Sequence, residues 1–258
     1  MKIPPMAHVP APMRLALLAL LVPSIASAAP ATGTIVGVVS WKGDAPAPTL
    51  VDRSSDPVCA KTARSTEDVV VDHGKLRDVL VRITVGSAPA VAAPTAPAVI
   101  EQRECMYTPR VVGIVAGQTV EIRNADATFH NVRGNLGPKV LWNLGQPAAT
   151  PSIGRSNLGK AGDVVALHCD VHPWMSSWIV ISDHPYFAVT GADGAFTLAN
   201  VPPGTYTVEA WHPTLGTRSL KVKVKKGKTA KAAFAFAFAA AATAAAGAAL
   251  LPAPAARK

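Results

Sequence analysis

Aromatic residues make up only 5% of this chain and charged residues only 16%. No basic stripe is interleaved with aromatics of the kind that stacks bases, so a nucleic-acid partner is disfavoured. H-x-H pairs are missing, which removes the histidine clusters that multinuclear copper enzymes need. G-x-S-x-G, H-E-x-x-H and paired-carboxylate patterns are missing too, so no hydrolase chemistry has its residues. Amphipathic helical periodicity is scarce, whereas Pro (23) and Gly (19) are frequent. Short strands and tight turns follow from that balance, and the expected fold class is all-β.

The N-terminus carries Lys2 and Arg14, no acidic residue, the apolar run Leu15–Val22 and then Ala26-Ser27-Ala28. A charged start, a short apolar stretch and an A-x-A site make a secretory signal, and the run is well short of the ~20 residues that span a bilayer. Cleavage after Ala28 puts the mature chain in the periplasm or outside the cell. Loss of Lys2 and Arg14 takes the net charge from +9 to +7, an excess that suits an acidic protein partner. Lys221, Lys223, Lys225, Lys226, Lys228 and Lys231, with Val222 and Val224 between the first three, read as a strand whose lysine-rich face resists edge pairing.

Strand patterns run through the chain. Thr34–Trp41 and Val79–Val85 are β-branched and apolar, and residues 86–98 form an Ala/Pro linker. Short strands follow at Val99-Ile100, Arg110–Val115 and Thr119–Asn124, with Ala116-Gly117-Gln118 as the turn between the last two. Residues 133–163 show little periodicity and are expected to be loop and edge strand. Val164–His168 and Ser177–Ile181 flank a short loop. Asp193-Gly194 is a hairpin signal, Pro202-Pro203-Gly204 a second turn, and Phe234, Phe236 and Phe238 alternate with Ala in a last core strand. The rest of the Ala-rich run, 239–258, is expected to be a flexible tail, with a membrane anchor as the alternative.

Chemistry concentrates at Cys169-Asp170-Val171-His172-Pro173-Trp174-Met175. A thiolate, an imidazole and a thioether at C-x-x-H-x-x-M spacing are three of the four ligands of a blue-copper centre, which adds a second His from elsewhere. His130 qualifies, placed after a strand and the polar turn Ala125–Thr128. With Cys169 a ligand, Cys59 and Cys105 remain, and an oxidising compartment lets them pair, although two free buried thiols are the alternative. Asp170 adds a carboxylate beside the loop, an alternative hard ligand for zinc. Of the other histidines, His73 and His168 read as surface or satisfied, and His184 and His212 as packing at a domain boundary.

Arg123–Val132 followed by Cys169–Met175 resembles the cupredoxins, of the plastocyanin and amicyanin type, over about residues 99–182. The resemblance implies a Greek-key β-sandwich holding one type 1 copper ion through His130, Cys169, His172 and Met175. Asn131 would hold the Cys loop by hydrogen bonding. Gly194–Tyr206 is similar to carboxypeptidase regulatory-like, transthyretin-type sandwiches. The expected organisation is therefore a signal peptide (1–28), N-terminal strands (30–98) shared with a regulatory-like sandwich (184–238), a copper domain (99–182) between them, and the tail (239–258); the alternative is that the N-terminal strands complete the copper-domain sandwich.

The function implied is one-electron transfer without catalysis, with His172 near the surface among apolar residues to meet a redox protein. Copper trafficking or storage is the first alternative, disfavoured because only Met106 and Met175 survive signal removal. A metal-free carbohydrate- or protein-binding module is the second.

Overall fold

The computed structural model describes residues 32–86 and 89–238. The expected signal peptide and tail lie outside these residues. Four strands come first: β1 (Gly33–Trp41), β2 (Val71–Asp72), β3 (Lys75–Leu76) and β4 (Leu80–Val85). The middle of the chain holds β5 (Ala98–Arg103), β6 (Met106–Thr108), β7 (Val111–Val115), β8 (Val120–Asn124) and β9 (His130–Leu136). It continues with β10 (Lys139–Gln146), β11 (Ile153–Arg155), β12 (Val164–His168) and β13 (Ser176–Ser182). The last five are β14 (Phe187–Val189), β15 (Ala195–Val201), β16 (Gly204–His212), β17 (Gly216–Val224) and β18 (Thr229–Phe236). A single 3-10 turn at Cys59–Lys61 is the only helical element among the described residues, so the molecule is all-β.

The strands make two sandwiches. In the first, a sheet ordered β10-β9-β12-β13-β7 faces one ordered β11-β8-β5-β6. Between them lie Ile100, Val120, Ile122, Val132, Val165, Leu167, Ile179 and Ile181. Along β9 and β12 every second residue points inward, as the two-residue period of a strand requires. In the second, β1 sits between β15 and β18 and also meets β3, while β14-β4-β16-β17 forms the opposite sheet. Its core contains Ile35, Val39, Phe196, Tyr206, Val208, Phe234 and Phe236. Strands from both ends of the chain thus share sheets: β1 runs parallel to β18 over Thr34–Trp41, and β4 pairs with β14 and β16.

Gly37 is needed at that crossing, because a Cβ there would lie 1.7 Å from the Ala232 carbonyl oxygen. Leu80, Val111 and Val180 form a small third cluster with Trp178, Val189 and Trp211 around them. It joins the sandwiches, which is why β13 is buried on both faces. On β17, Val222 and Val224 point inward and Lys221 and Lys223 outward.

Residues 133–163 hold loop and two edge strands, β10 and β11, as expected, and β10 pairs with the inner strand β9 in a long antiparallel hairpin. Its glycines hide the pattern, and Gly134 is there because a Cβ would lie 2.3 Å from the Trp142 ring. Two sequence expectations need correction. Asp193-Gly194 does not close a hairpin, since β14 and β15 lie in opposite sheets of the second sandwich. Gly194 has φ +64 and its Cβ position is 2.4 Å from the Val39 carbonyl oxygen, so a close crossing sets this residue. The Ala/Phe run from 232 gives its first residues to β18, and Phe238 is exposed rather than a core residue. Among the described residues, no helix is long and apolar enough to cross a membrane.

Candidate metal centre

β9 begins at His130 and β12 ends at His168, next to Cys169, so neighbouring strands deliver an imidazole and a thiol to the same end of the first sandwich. The loop after β12 closes on itself, with Met175 N–H donating to the His172 carbonyl (2.9 Å) and Cys169 N–H to the Met175 carbonyl (3.4 Å). That turn brings His172 back over Cys169. His130, Cys169 and His172 each offer a ligand atom, and these atoms all lie within 4.8 Å of one another. The Nδ1 atoms of the two histidines are 3.0 Å apart and the Cys169 Sγ is 3.7 Å from His172 Nδ1. Exposure is 0% for His130, 3% for Cys169, 1% for His172 and 0% for Met175, whose side chain packs in the core cluster that includes Cys169.

Each imidazole has its outer nitrogen held by a carboxylate. His130 Nε2 is 2.9 Å from Asp126 Oδ2, and His172 Nε2 is 3.1 Å from Asp56 Oδ2. A histidine that donates from Nε2 presents the Nδ1 lone pair on its other side, the arrangement metal-binding histidines use. Two such lone pairs 3.0 Å apart repel unless a proton or a metal cation lies between them. The donor set therefore fits one soft cation.

Burial alone lowers the pKa of His130, but the Asp126 carboxylate and the Cys169 sulfur outweigh it and raise it above the ordinary histidine value. Burial lowers that of His172, and the Asp56 hydrogen bond only partly offsets the effect. For Cys169, burial favours the thiol, yet the adjoining His130 imidazole and the backbone amides of Asn131, His172 and Val171 bring its pKa below its ordinary value.

The polar stretch before His130 is a scaffold read every second residue. Asn124 donates from Nδ2 to the Thr128 and Gln146 carbonyls and accepts from the Asp126 amide. Asp126 also accepts from the amides of Glu104 (2.6 Å) and Cys105 (2.9 Å). Asn131 donates its backbone N–H to Cys169 Sγ at 3.4 Å, and its Oδ1 accepts from the Asp170 amide at 3.0 Å. The Asp170 side chain is turned away, paired with Arg133 at 2.9 Å and accepting from Asn143, so it stands apart from the ligand cluster. His73 is exposed in a turn, and His168 is half-buried. His184 and His212 are buried, satisfied by Ser182 and the Ile83 carbonyl in one case and by the Thr214 amide in the other.

The carboxypeptidase regulatory-like domain model matches residues 179–237. A purple cupredoxin from Nitrosopumilus maritimus is similar in structure, at 23% identity and a TM-score of 0.29, covering 33% of this chain and 99% of that one. Amicyanin from Paracoccus versutus is similar at 22% identity and 0.31, over 40% of this chain and 97% of that one. A copper-containing nitrite reductase from Thermus scotoductus matches at 20% and 0.29, over 40% of this chain but 28% of that one. Comparison with curated protein sequences gave no significant match.

The regulatory-like match falls mainly on β14–β18 of the second sandwich, whereas the His130, Cys169 and His172 cluster belongs to the first.

One expectation for the first sandwich fails. His172 is not near the surface, because the segment from Leu50 to Thr66 lies over it. Cys59 and Cys105 form a disulfide, with 5.6 Å between their Cα atoms, and Cys59 Sγ sits 3.6 Å from His172 Nε2. Asp56 Oδ1 accepts from the Val58 and Cys59 amides, and its Oδ2 accepts from the Thr128 hydroxyl at 2.7 Å. Burial alone would raise its pKa, but these partners bring it down to about 2. Arg53 donates to the carbonyls of Thr62 and Glu104, its guanidinium 6.0 Å from the centroid of the Trp174 ring. The ends of the segment are tied by Val51 N–H to the Arg64 carbonyl and Thr66 N–H to the Thr49 carbonyl. Asp56 and Arg53 carry no local signal of this role. The one usable clue is the disulfide, which places the neighbours of Cys59 beside the β5–β6 turn.

Proposed function

We propose that this protein carries single electrons, using one copper ion that His130, Cys169 and His172 would hold, with Met175 as a weak fourth donor. The observation that carries this is the buried cluster of two imidazoles and one thiol with both Nδ1 atoms facing each other across 3.0 Å. Copper, when bound, would supply a one-electron couple, which a set of two imidazoles, a thiolate and a weak thioether suits in both oxidation states.

The chain's own residues do the rest. β9 and β12 bring the two ligand-bearing loops together from a rigid sheet. Asp126 and Asp56 fix the rotation of the two imidazoles. The Asn131 amide donates to the sulfur and sets its place. Depression of the Cys169 pKa favours the thiolate that a metal requires. A trafficking protein must hand its ion over, and the burial of Cys169 and His172 works against that exchange. The Cys59–Cys105 disulfide supports an oxidising compartment, in keeping with export through the N-terminal signal. An acidic redox protein is the proposed partner for the +7 mature chain.

The test is to add Cu(II) to the purified mature protein and record its visible spectrum. An intense thiolate-to-copper charge-transfer band, bleached reversibly by ascorbate and lost in Cys169→Ser, supports the carrier. A weak d–d spectrum that survives Cys169→Ser overturns it.

A further inference from the structure

We propose that residues 50–66 are a disulfide-tethered cap that closes the metal centre, with Asp56 the positioning residue that holds His172 in place from the cap. The inference deepens the copper reading and, for the metal, rests on it.

Four observations converge. His172 would lie at the open end of the first sandwich, yet it is 1% exposed. What covers its Nε2 is not the loop that carries it but Asp56 and Cys59, at 3.1 and 3.6 Å. Asp56 is itself anchored on the opposite side of the centre, through the Thr128 hydroxyl two residues before His130. The cap is then fastened at separate points to the β5–β6 turn: Cys59 by a covalent bond to Cys105, Arg53 by donation to the Glu104 carbonyl, and Arg64 by an ion pair with Glu104. Trp174 completes the wall, its indole N–H donating to the Cys105 carbonyl and its ring 5.1 Å from that of His172.

Asp56 thus bridges both ligand loops while belonging to neither. An imidazole anchored at Nε2 cannot swing its Nδ1 away from the thiolate, and neither small anions nor chelators reach the ligand atoms while the cap is shut. The cap makes the centre a closed one, built to keep its ion and exchange only electrons.

The first arm uses the metal-free, oxidised protein, in which Cys169 is the one free thiol among the described residues. N-ethylmaleimide should alkylate Cys169 slowly in wild type and at least ten times faster in Asp56→Ala and in Cys59→Ser/Cys105→Ser. Asp56→Asn keeps one acceptor oxygen where the carboxylate offers two, so it loses either the amides or His172 and should alkylate at a rate between wild type and Asp56→Ala. If the double variant does not fold, Thr128→Val, which removes the far anchor, takes its place.

Nitrogen-15 NMR of His172 separates positioning from general loosening. The Nε2–H tautomer should dominate in wild type and be lost in Asp56→Ala. Folded Asp56→Ala protein that alkylates within twofold of wild type and keeps the His172 tautomer overturns the cap. In the copper arm, EDTA should strip the ion at least tenfold faster from Asp56→Ala. Failure of wild type to take up copper with a charge-transfer band counts against the carrier function alone, because the metal-free arms judge the cap independently.

Discussion

Asp126→Ala is the substitution whose effects the structure lets one work out most fully. The carboxylate accepts from the Glu104 amide at 2.6 Å, from the Cys105 amide at 2.9 Å and from His130 Nε2 at 2.9 Å. The Glu104 contact is at the surface, and water can replace it. The Cys105 amide and the imidazole nitrogen belong to fully buried residues and would lose their acceptor. An unsatisfied buried donor costs about 1–3 kcal/mol, so the metal-free variant, with two of them, should lose roughly 2–6 kcal/mol of stability. Asp126→Asn keeps one carbonyl acceptor and should lose less. With the His130 ring free to rotate, copper affinity should fall about 10–100-fold, as for other partners that orient a ligand histidine. Guanidinium denaturation of the metal-free protein measures the first effect and competition with a chelator the second. A metal-free Asp126→Ala protein within about 0.5 kcal/mol of wild type, the range of inert surface changes, would refute the reasoning.

Burial, and after it the nearby Arg110, lowers the pKa of His212 to about 4 from an ordinary 6.5. The unfolded chain then takes up a proton below about pH 6.5 while the folded one does not until about pH 4. Stability should therefore fall by up to about 3 kcal/mol across that window, and denaturation curves at pH 7 and 4.5 should show a smaller drop in His212→Asn. Gly37→Ala should prevent folding or lower the melting temperature sharply in calorimetry, because the added Cβ meets the Ala232 carbonyl oxygen at 1.7 Å and no flexible side chain can yield there. Asp170→Ala should leave copper stoichiometry and spectrum unchanged, since its carboxylate is engaged by Arg133 and Asn143; a changed spectrum would return it to the ligand set.

What could be read from the sequence was local. The spacing of Cys169, His172 and Met175 is a property of one turn, and Asn124, Asp126, Thr128 and His130 alternate along one stretch, so their chemistry is visible in consecutive residues. The Cys59–Cys105 pair followed from counting and the strands from β-branched runs and turn residues, while the division into two sandwiches came from the family resemblance of two separate stretches. Asp56 lies 116 residues from His172 in a segment whose composition says only that it is polar. Its role exists because the fold lays that segment over the ligand loop. The β9–β10 hairpin escaped for a different reason: Gly134, Gly137 and Gly145 break the alternation that marks a strand, and two of them make room for the rings of Trp142 and Phe129. Asp193-Gly194 misled because an Asp-Gly pair marks a tight turn without saying whether the strands it joins pair with each other.

The central claim is that the two imidazoles and the Cys169 sulfur bind the same copper ion. X-ray absorption at the copper edge of the protein loaded with one equivalent tests it most directly. The account predicts one short sulfur and two imidazole nitrogens around copper, with the sulfur signal gone in Cys169→Ser. A shell of nitrogen and oxygen alone, the same in wild type and Cys169→Ser, would contradict it.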